Sequence, residues 1–182
     1  MEISPLTIPG PLIIKPRIME DERGSFFESY NESAFEHAGL PVRFAQDNQS
    51  VSHKNVLRGL HFQHPPYEQG KLVRVVQGSV LDVIVDIRRG SPHYGHHLKV
   101  LLHADEQKML WIPPGFAHGF LSLVEGTVFL YKCTKGYHKP SEDGIFWKDT
   151  EVGIDWGVEN PLVSSKDNIL PALNKLNSPF NI

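Results

Sequence analysis

Arg58, His61 and Lys71 lie within fifteen residues of one another, in the segments Val56-Leu57-Arg58-Gly59-Leu60-His61-Phe62-Gln63-His64 and Gln69-Gly70-Lys71. The first segment reads as a strand, because Val56, Leu60 and Phe62 recur at even spacing between turn-forming stretches. Imidazole has an unperturbed pKa of about 6.5, so a histidine whose tautomer is fixed by a carboxylate can remove a proton at neutral pH. A buried histidine satisfied by backbone groups is the commoner fate of any one of ten histidines. The company of Arg58 and Lys71 favours a polar binding site, because unpaired buried charge is costly unless a ligand meets it. Strict alternation sends Arg58 and His61 to opposite faces of a strand, so a shared cavity requires a bulge or twist at Gly59.

The elements around this segment read as short strands separated by turns. Residues 12–14 and 25–30 form two apolar candidates, with Asp21-Glu22-Arg23-Gly24 as the turn before the second. Asn31, an N-cap type residue, and Gly39 bracket one short helix. Further strands are expected at residues 42–47, 56–63, 72–77, 80–87, 98–102, 109–112, 120–124 and 127–133. In residues 80–87, Leu81, Val83, Val85 and Ile87 line one face, and Val80, Asp82, Ile84 and Asp86 the other. Tyr131 shares a face with Phe129 and Cys133; an ordinary core tyrosine would fit there, but a phenol is also a competent proton donor to a carbanion. Trp147 and Trp156 are expected to cover the barrel, followed by a short helical stretch at residues 171–176. The pattern predicts an all-β fold, an antiparallel jelly-roll sandwich or barrel with a few short peripheral helices. Nothing splits it, so a single domain over residues 1–182 is expected.

Composition narrows the function classes. Hydrophobic residues make up 40% and charged residues 21%, close to the globular average. A formal net charge of −3 argues against a general nucleic-acid binder, which carries a basic excess. Residues 1–16 lack the basic and apolar regions of a secretory signal, and no apolar run reaches membrane-spanning length. The single cysteine, Cys133, excludes an internal disulfide and fits a reducing compartment. A cytoplasmic protein with neither nucleic-acid nor membrane partners is expected.

His61 and His64, followed by Pro113-Pro114-Gly115-Phe116-Ala117-His118, resemble the two histidine motifs of cupin barrels. As metal ligands they are a weak set. Three-residue spacing places His61 and His64 on opposite strand faces, and only Glu68 could stand for the expected glutamate, whereas a metal needs three or four converging ligands. No metal and no cofactor are expected.

Five separate blocks carry a more specific resemblance. Residues 56–63, Gln69-Gly70-Lys71-Leu72-Val73-Arg74-Val75, Asp82-Val83-Ile84-Val85-Asp86-Ile87-Arg88, residues 112–120 and Tyr131-Lys132-Cys133-Thr134 strongly resemble the dTDP-4-dehydrorhamnose 3,5-epimerase family, in the right order and over about residues 8–173. The resemblance implies a cupin-like jelly roll, metal-free catalysis, and a homodimer whose N-terminal strands join the partner's sheet. The implied substrate is a dTDP-linked 4-keto-6-deoxyhexose. Its C3 and C5 protons are acidified by the C4 ketone, so a base can remove one and the enolate can be reprotonated from the opposite face.

By the family's pattern the base is His61, oriented by Asp167, and the opposing acid is Tyr131. Lys71 would stabilise the enolate oxygen. Arg23, Phe26 and Glu28 match nucleotide-contacting positions, reached across the dimer interface; taken alone, Arg23 and Glu28 would read as a surface salt bridge. Gln46, Asn48 and Arg58 match further substrate contacts, His118 borders the sugar site, and Tyr137 helps shape it. The family's Asp-Tyr-Tyr is here Lys135-Gly136-Tyr137, so the first aromatic of the pair is missing. That departure leaves open whether epimerisation occurs at both carbons or at one. Rival readings are a mono-epimerase or ketoisomerase on a similar substrate, a metal-dependent cupin enzyme, and a non-catalytic sugar-binding barrel.

Overall fold

The computed structural model describes residues 1–182. Its strands are β1 (Glu2–Pro5), β2 (Leu12–Lys15), β3 (Met19–Asp21), β4 (Gly24–Phe26), β5 (Gln46–Ser52), β6 (Val56–Gln63) and β7 (Lys71–Gln77). They continue with β8 (Ser79–Asp86), β9 (His97–His103), β10 (Met109–Ile112), β11 (Phe116–Ser122), β12 (Thr127–Cys133), β13 (Glu142–Gly144) and β14 (Leu162–Val163). One helix, α1 (Glu32–His37), is capped by Asn31, whose side chain accepts from the Ala34 N–H at 3.0 Å. No helix is long and apolar enough to cross a membrane.

Two sheets form the barrel. One has the order β1-β2-β10-β7-β12-β5, the other β13-β6-β11-β8-β9 with β14 beside β6. All pairings are antiparallel except that of β14 with β6. This is a cupin-like jelly roll; the strand spacing predicts the jelly roll, and the family resemblance implies its cupin-like form. β8 shows why its sequence is apolar on both sides. Val80 and Ile84 pack between the sheets with Val73, Val75, Leu110 and Phe129. Val83, Val85 and Ile87 face outward, where Ile145, Trp147, Val152, Trp156 and Leu173 of the C-terminal segment cover them. The two tryptophans are therefore a lid on the outside of one sheet, and α1 with Phe35 covers part of the other.

Three elements differ from the sequence expectation at their ends. β5 occupies residues 46–52 rather than 42–47, because Val42 and Phe44 pack with Tyr30 around α1 while the chain pairs with β12 only from Gln46 onward. The strand expected over residues 25–30 is a ladder of Gly24–Phe26 alone, and β11 covers Phe116–Ser122 rather than residues 120–124. In the latter, Gly115 (φ +95°) turns the chain and pairing with β8 starts at once.

The bulge required by Arg58 and His61 is present. Opposite β6, His118 pairs with His61 and Phe120 with Arg58, so three steps on β6 match two on β11. Gly59 takes φ +127°, and a Cβ there would lie 2.5 Å from the Gly119 Cα. A Cβ on Gly119 would in turn lie 2.5 Å from the Arg58 carbonyl oxygen. Gly119→Ala is accordingly expected to destabilise the fold by about 2–3 kcal/mol through overpacking against backbone. A lower urea midpoint at unchanged m-value is the measurement, and an unshifted midpoint would show that the two strands can separate freely.

Candidate active site

The bulge delivers Arg58 and His61 into one cavity of about 660 Å³ between the two sheets. β6 and β11 supply Arg58, His61 and His118 from one sheet, while β5, β7 and β12 supply Gln46, Asn48, Lys71, Tyr131 and Cys133 from the other. Loops at the mouth add Tyr137, Lys166 and Asp167, and β13 adds Glu142. A molecule lying in this cavity has the two histidines on one side and the lysine and tyrosine on the other.

His61 is held by a residue 106 positions away: its Nε2 lies 2.7 Å from Asp167 Oδ1. The second oxygen, Oδ2, accepts the Gly59 N–H at 3.1 Å, so one carboxylate clamps both the imidazole and the bulge that aims it. Asp167 opens a single turn of 3₁₀ helix, and its own N–H donates to Ser164 Oγ at 3.1 Å. Burial pushes the Asp167 carboxyl up, but the His61 and Gly59 hydrogen bonds outweigh this and hold it below the usual carboxylate range. An ionised carboxylate only accepts, so the His61 Nε2 carries the hydrogen and Nδ1 keeps the lone pair.

On the facing sheet, Lys71 opens β7 next to Cys133 in the ladder. Burial lowers its pKa, while Cys133, Asp82 and Glu142 pull it back up. Tyr131 sits between Val73 and Asn48 in the ladder, and burial, with Cys133 adding to it, raises its phenol above the ordinary value against the opposing pull of Arg58. It is therefore a proton-bearing acid at neutral pH. Gln46 and Asn48 are linked side chain to side chain at 2.8 Å, and Gln46 Oε1 also accepts the Tyr137 N–H at 2.7 Å.

His118 reaches the cavity with its Nε2 2.8 Å from Asp82 Oδ2, a pair that is almost wholly buried. Burial raises the Asp82 carboxyl, with His118 and Lys71 opposing. Sequence reasoning read Asp82 only as a face position; a carboxylate inside an otherwise apolar strand was the available signal, since such groups are almost never buried unpaired. Glu142 and Lys166 gave no comparable local signal. His64 turns out of the cavity to Asp143 at 2.8 Å, as alternation requires.

Three expected site residues stand apart. Arg23, Phe26 and Glu28 do not line this cavity. Arg23 and Phe26 lie on the exposed β3–β4 hairpin, where Arg23 pairs with Asp21 and Phe26 is 63% exposed. Glu28 follows it and accepts from Asn31 at 3.2 Å.

Comparison with known proteins agrees over nearly the whole chain. A family model described as dTDP-4-dehydrorhamnose 3,5-epimerase matches residues 5–175. The dTDP-4-dehydrorhamnose 3,5-epimerase of Escherichia coli (strain K12) is 51% identical over 178 residues, covering 97% of this chain and 96% of its own. The crystal structure of dTDP-4-dehydrorhamnose 3,5-epimerase from Elizabethkingia anophelis NUHP1 matches with a TM-score of 0.93 and 41% identity, covering 98% of this chain and 99% of that one. A dTDP-6-deoxy-D-glucose-3,5-epimerase from Legionella pneumophila Philadelphia 1, solved in complex with dTDP-4-keto-L-rhamnose, matches with a TM-score of 0.91 and 44% identity over 97% of this chain and 94% of its own.

Proposed function

This chain belongs to the dTDP-4-dehydrorhamnose 3,5-epimerase family, and from that premise we propose that it is an isomerase converting dTDP-4-dehydro-6-deoxy-D-glucose into dTDP-4-dehydro-L-rhamnose. The observation that carries the reading is the placement of a carboxylate-bound imidazole and a protonated phenol on opposite walls of one cavity. Inversion at carbon needs a base on one face of the ring and an acid on the other.

In this mechanism His61 removes the proton from C3 or C5 through Nδ1, and the electron pair moves into an enolate on the C4 oxygen. Lys71, on the cavity wall, donates to that oxygen and stabilises it. Tyr131 then donates its proton to the same carbon from the opposite face. The imidazolium and phenolate so formed return to their starting states by proton exchange with solvent, and the second carbon follows by the same steps. Arg58 and His118 hold the sugar beside His61, with Gln46, Asn48 and Tyr137 on the other side.

The nucleotide end is assigned to Arg23, Phe26 and Glu28 of a second copy, in a cytoplasmic homodimer. Their support is exposure: a hairpin presenting a bare phenylalanine and an arginine 90% exposed at its side chain is shaped for contact with something beyond this chain. Arg23's planar fork suits a diphosphate once it leaves Asp21.

Incubating the enzyme with dTDP-4-dehydro-6-deoxy-D-glucose in D₂O tests the reaction. Deuterium at both C3 and C5 of an L-configured product is the expected result. Label at one carbon would make it a mono-epimerase, migration of the ketone a ketoisomerase, and no label a binding protein.

A further inference from the structure

One guanidinium on the cavity wall meets no carboxylate. Arg23 and Arg88 each pair with an aspartate, whereas Arg58, which lines the cavity, forms no ion pair. Its side chain makes a single hydrogen bond: Nε donates to Ser52 Oγ at 3.3 Å. The charge sits close enough to the reacting groups to pull the Tyr131 phenol down against burial.

Ser52 reaches Arg58 from the opposite sheet. It ends β5, pairs with Thr127 of β12 and is 2% exposed. A hydroxyl buried that deeply needs a partner, and the Arg58 Nε–H supplies it. Ser52 does not itself line the cavity, so any effect it has on a ligand passes through the arginine. The Arg58 backbone is fixed by the bulge, with Phe120 of β11 opposite it. Its long side chain would still let the guanidinium sweep through many rotamers. Anchoring Nε removes much of that freedom and leaves both Nη groups unpaired.

We propose that Ser52 is a positioning residue for substrate binding: its hydroxyl holds Arg58 Nε so that the two Nη groups face the phosphate joined to C1 of the sugar. The proposal rests on the reading of this cavity as the nucleotide-sugar site. A 4-keto sugar is uncharged, so the phosphate beside it is the part of the substrate that an unpaired guanidinium takes. Two parallel N–H groups match two phosphate oxygens. If Arg58 swung away, the buried Ser52 hydroxyl would lose its partner, so the anchor holds from both ends.

Binding and turnover of Ser52→Ala test this. The Kd of dTDP and the KM of dTDP-4-dehydro-6-deoxy-D-glucose are each expected to rise roughly tenfold, the size of losing a hydrogen bond to a charged group. The kcat is expected to stay within about twofold, because the phosphate is held alike in the ground and transition states. Thymidine, titrated by NMR, is expected to bind Ser52→Ala within about twofold of wild type, since it lacks the anion that Arg58 takes. Adding Ser52→Ala to Arg58→Ala should cost dTDP binding nothing further, because no guanidinium is left to hold. Equal losses for dTDP and thymidine, an unchanged dTDP Kd, or a further loss in the double variant would overturn the proposal, as would failure of the wild type to bind dTDP. Should Ser52→Ala not fold, Ser52→Cys fills the same space with a weaker acceptor and carries the same comparison. A wild type that binds dTDP without turnover would count against the assigned reaction and leave the dTDP and thymidine titrations to decide the role of Ser52.

Discussion

His61→Ala is expected to lower kcat by about 10³-fold, in the middle of the range for removal of a general base, while dTDP binding stays within about threefold of wild type. The side chain is only partly exposed, but its ring faces the cavity rather than the outer apolar layer, so truncation removes the imidazole without opening a hole in the core. Asp167→Asn is expected to cost less, about 10²-fold, and to cost stability as well. An amide presents one acceptor where the carboxylate presents two, so it cannot serve both the His61 Nε2–H and the Gly59 N–H. If the oxygen on Gly59 matters to the fold, Asp167→Asn lowers the urea midpoint more than His61→Ala, which leaves that hydrogen bond in place. Turnover by His61→Ala at the wild-type rate would remove the base from this histidine.

Tyr131→Phe is expected to separate proton removal from inversion. The substitution keeps the ring that packs beside Phe129 and deletes only the hydroxyl, so the barrel should fold unchanged. His61 can still take the proton and, from the same face, return a deuteron picked up from solvent. The expected outcome in D₂O is a product rate lower by about 10²- to 10³-fold with exchange into recovered substrate reduced far less. Equal losses in exchange and product would place Tyr131 in proton removal instead, and full product formation would deny it the role of acid. The raised phenol pKa, caused first by burial, has a definite sign here: the group stays protonated through neutral pH and gives up its proton only to a strong base such as an enolate.

Much of the fold was legible from residue types and spacing, because strand faces are a local property. The period of two in β8 gave both of its buried faces, and Asn31 gave the start of α1. The conflict between Arg58 and His61 implies the bulge at Gly59, since two side chains of a regular strand separated by an odd number of residues cannot meet in one cavity. Strand ends were less legible. Val42 and Phe44 look as β-prone as anything after them, but they are claimed by Tyr30 and α1, and only assembly decides that competition.

The candidate site divides along the same line. By itself, the sequence determined that His61, Lys71, Arg58 and Tyr131 lie on strands of one jelly roll, and the resemblance to the family implied that Asp167 orients His61. Tertiary structure decided what those residues face. Two sheets closing on each other set the imidazole against the phenol, a loop 106 residues away brought Asp167 to both His61 and Gly59, and β13 carried Glu142 between Tyr137 and Lys166. Alternation along a strand records which side a residue takes, but approach across a hundred residues depends on packing the whole chain, and no local pattern encodes it.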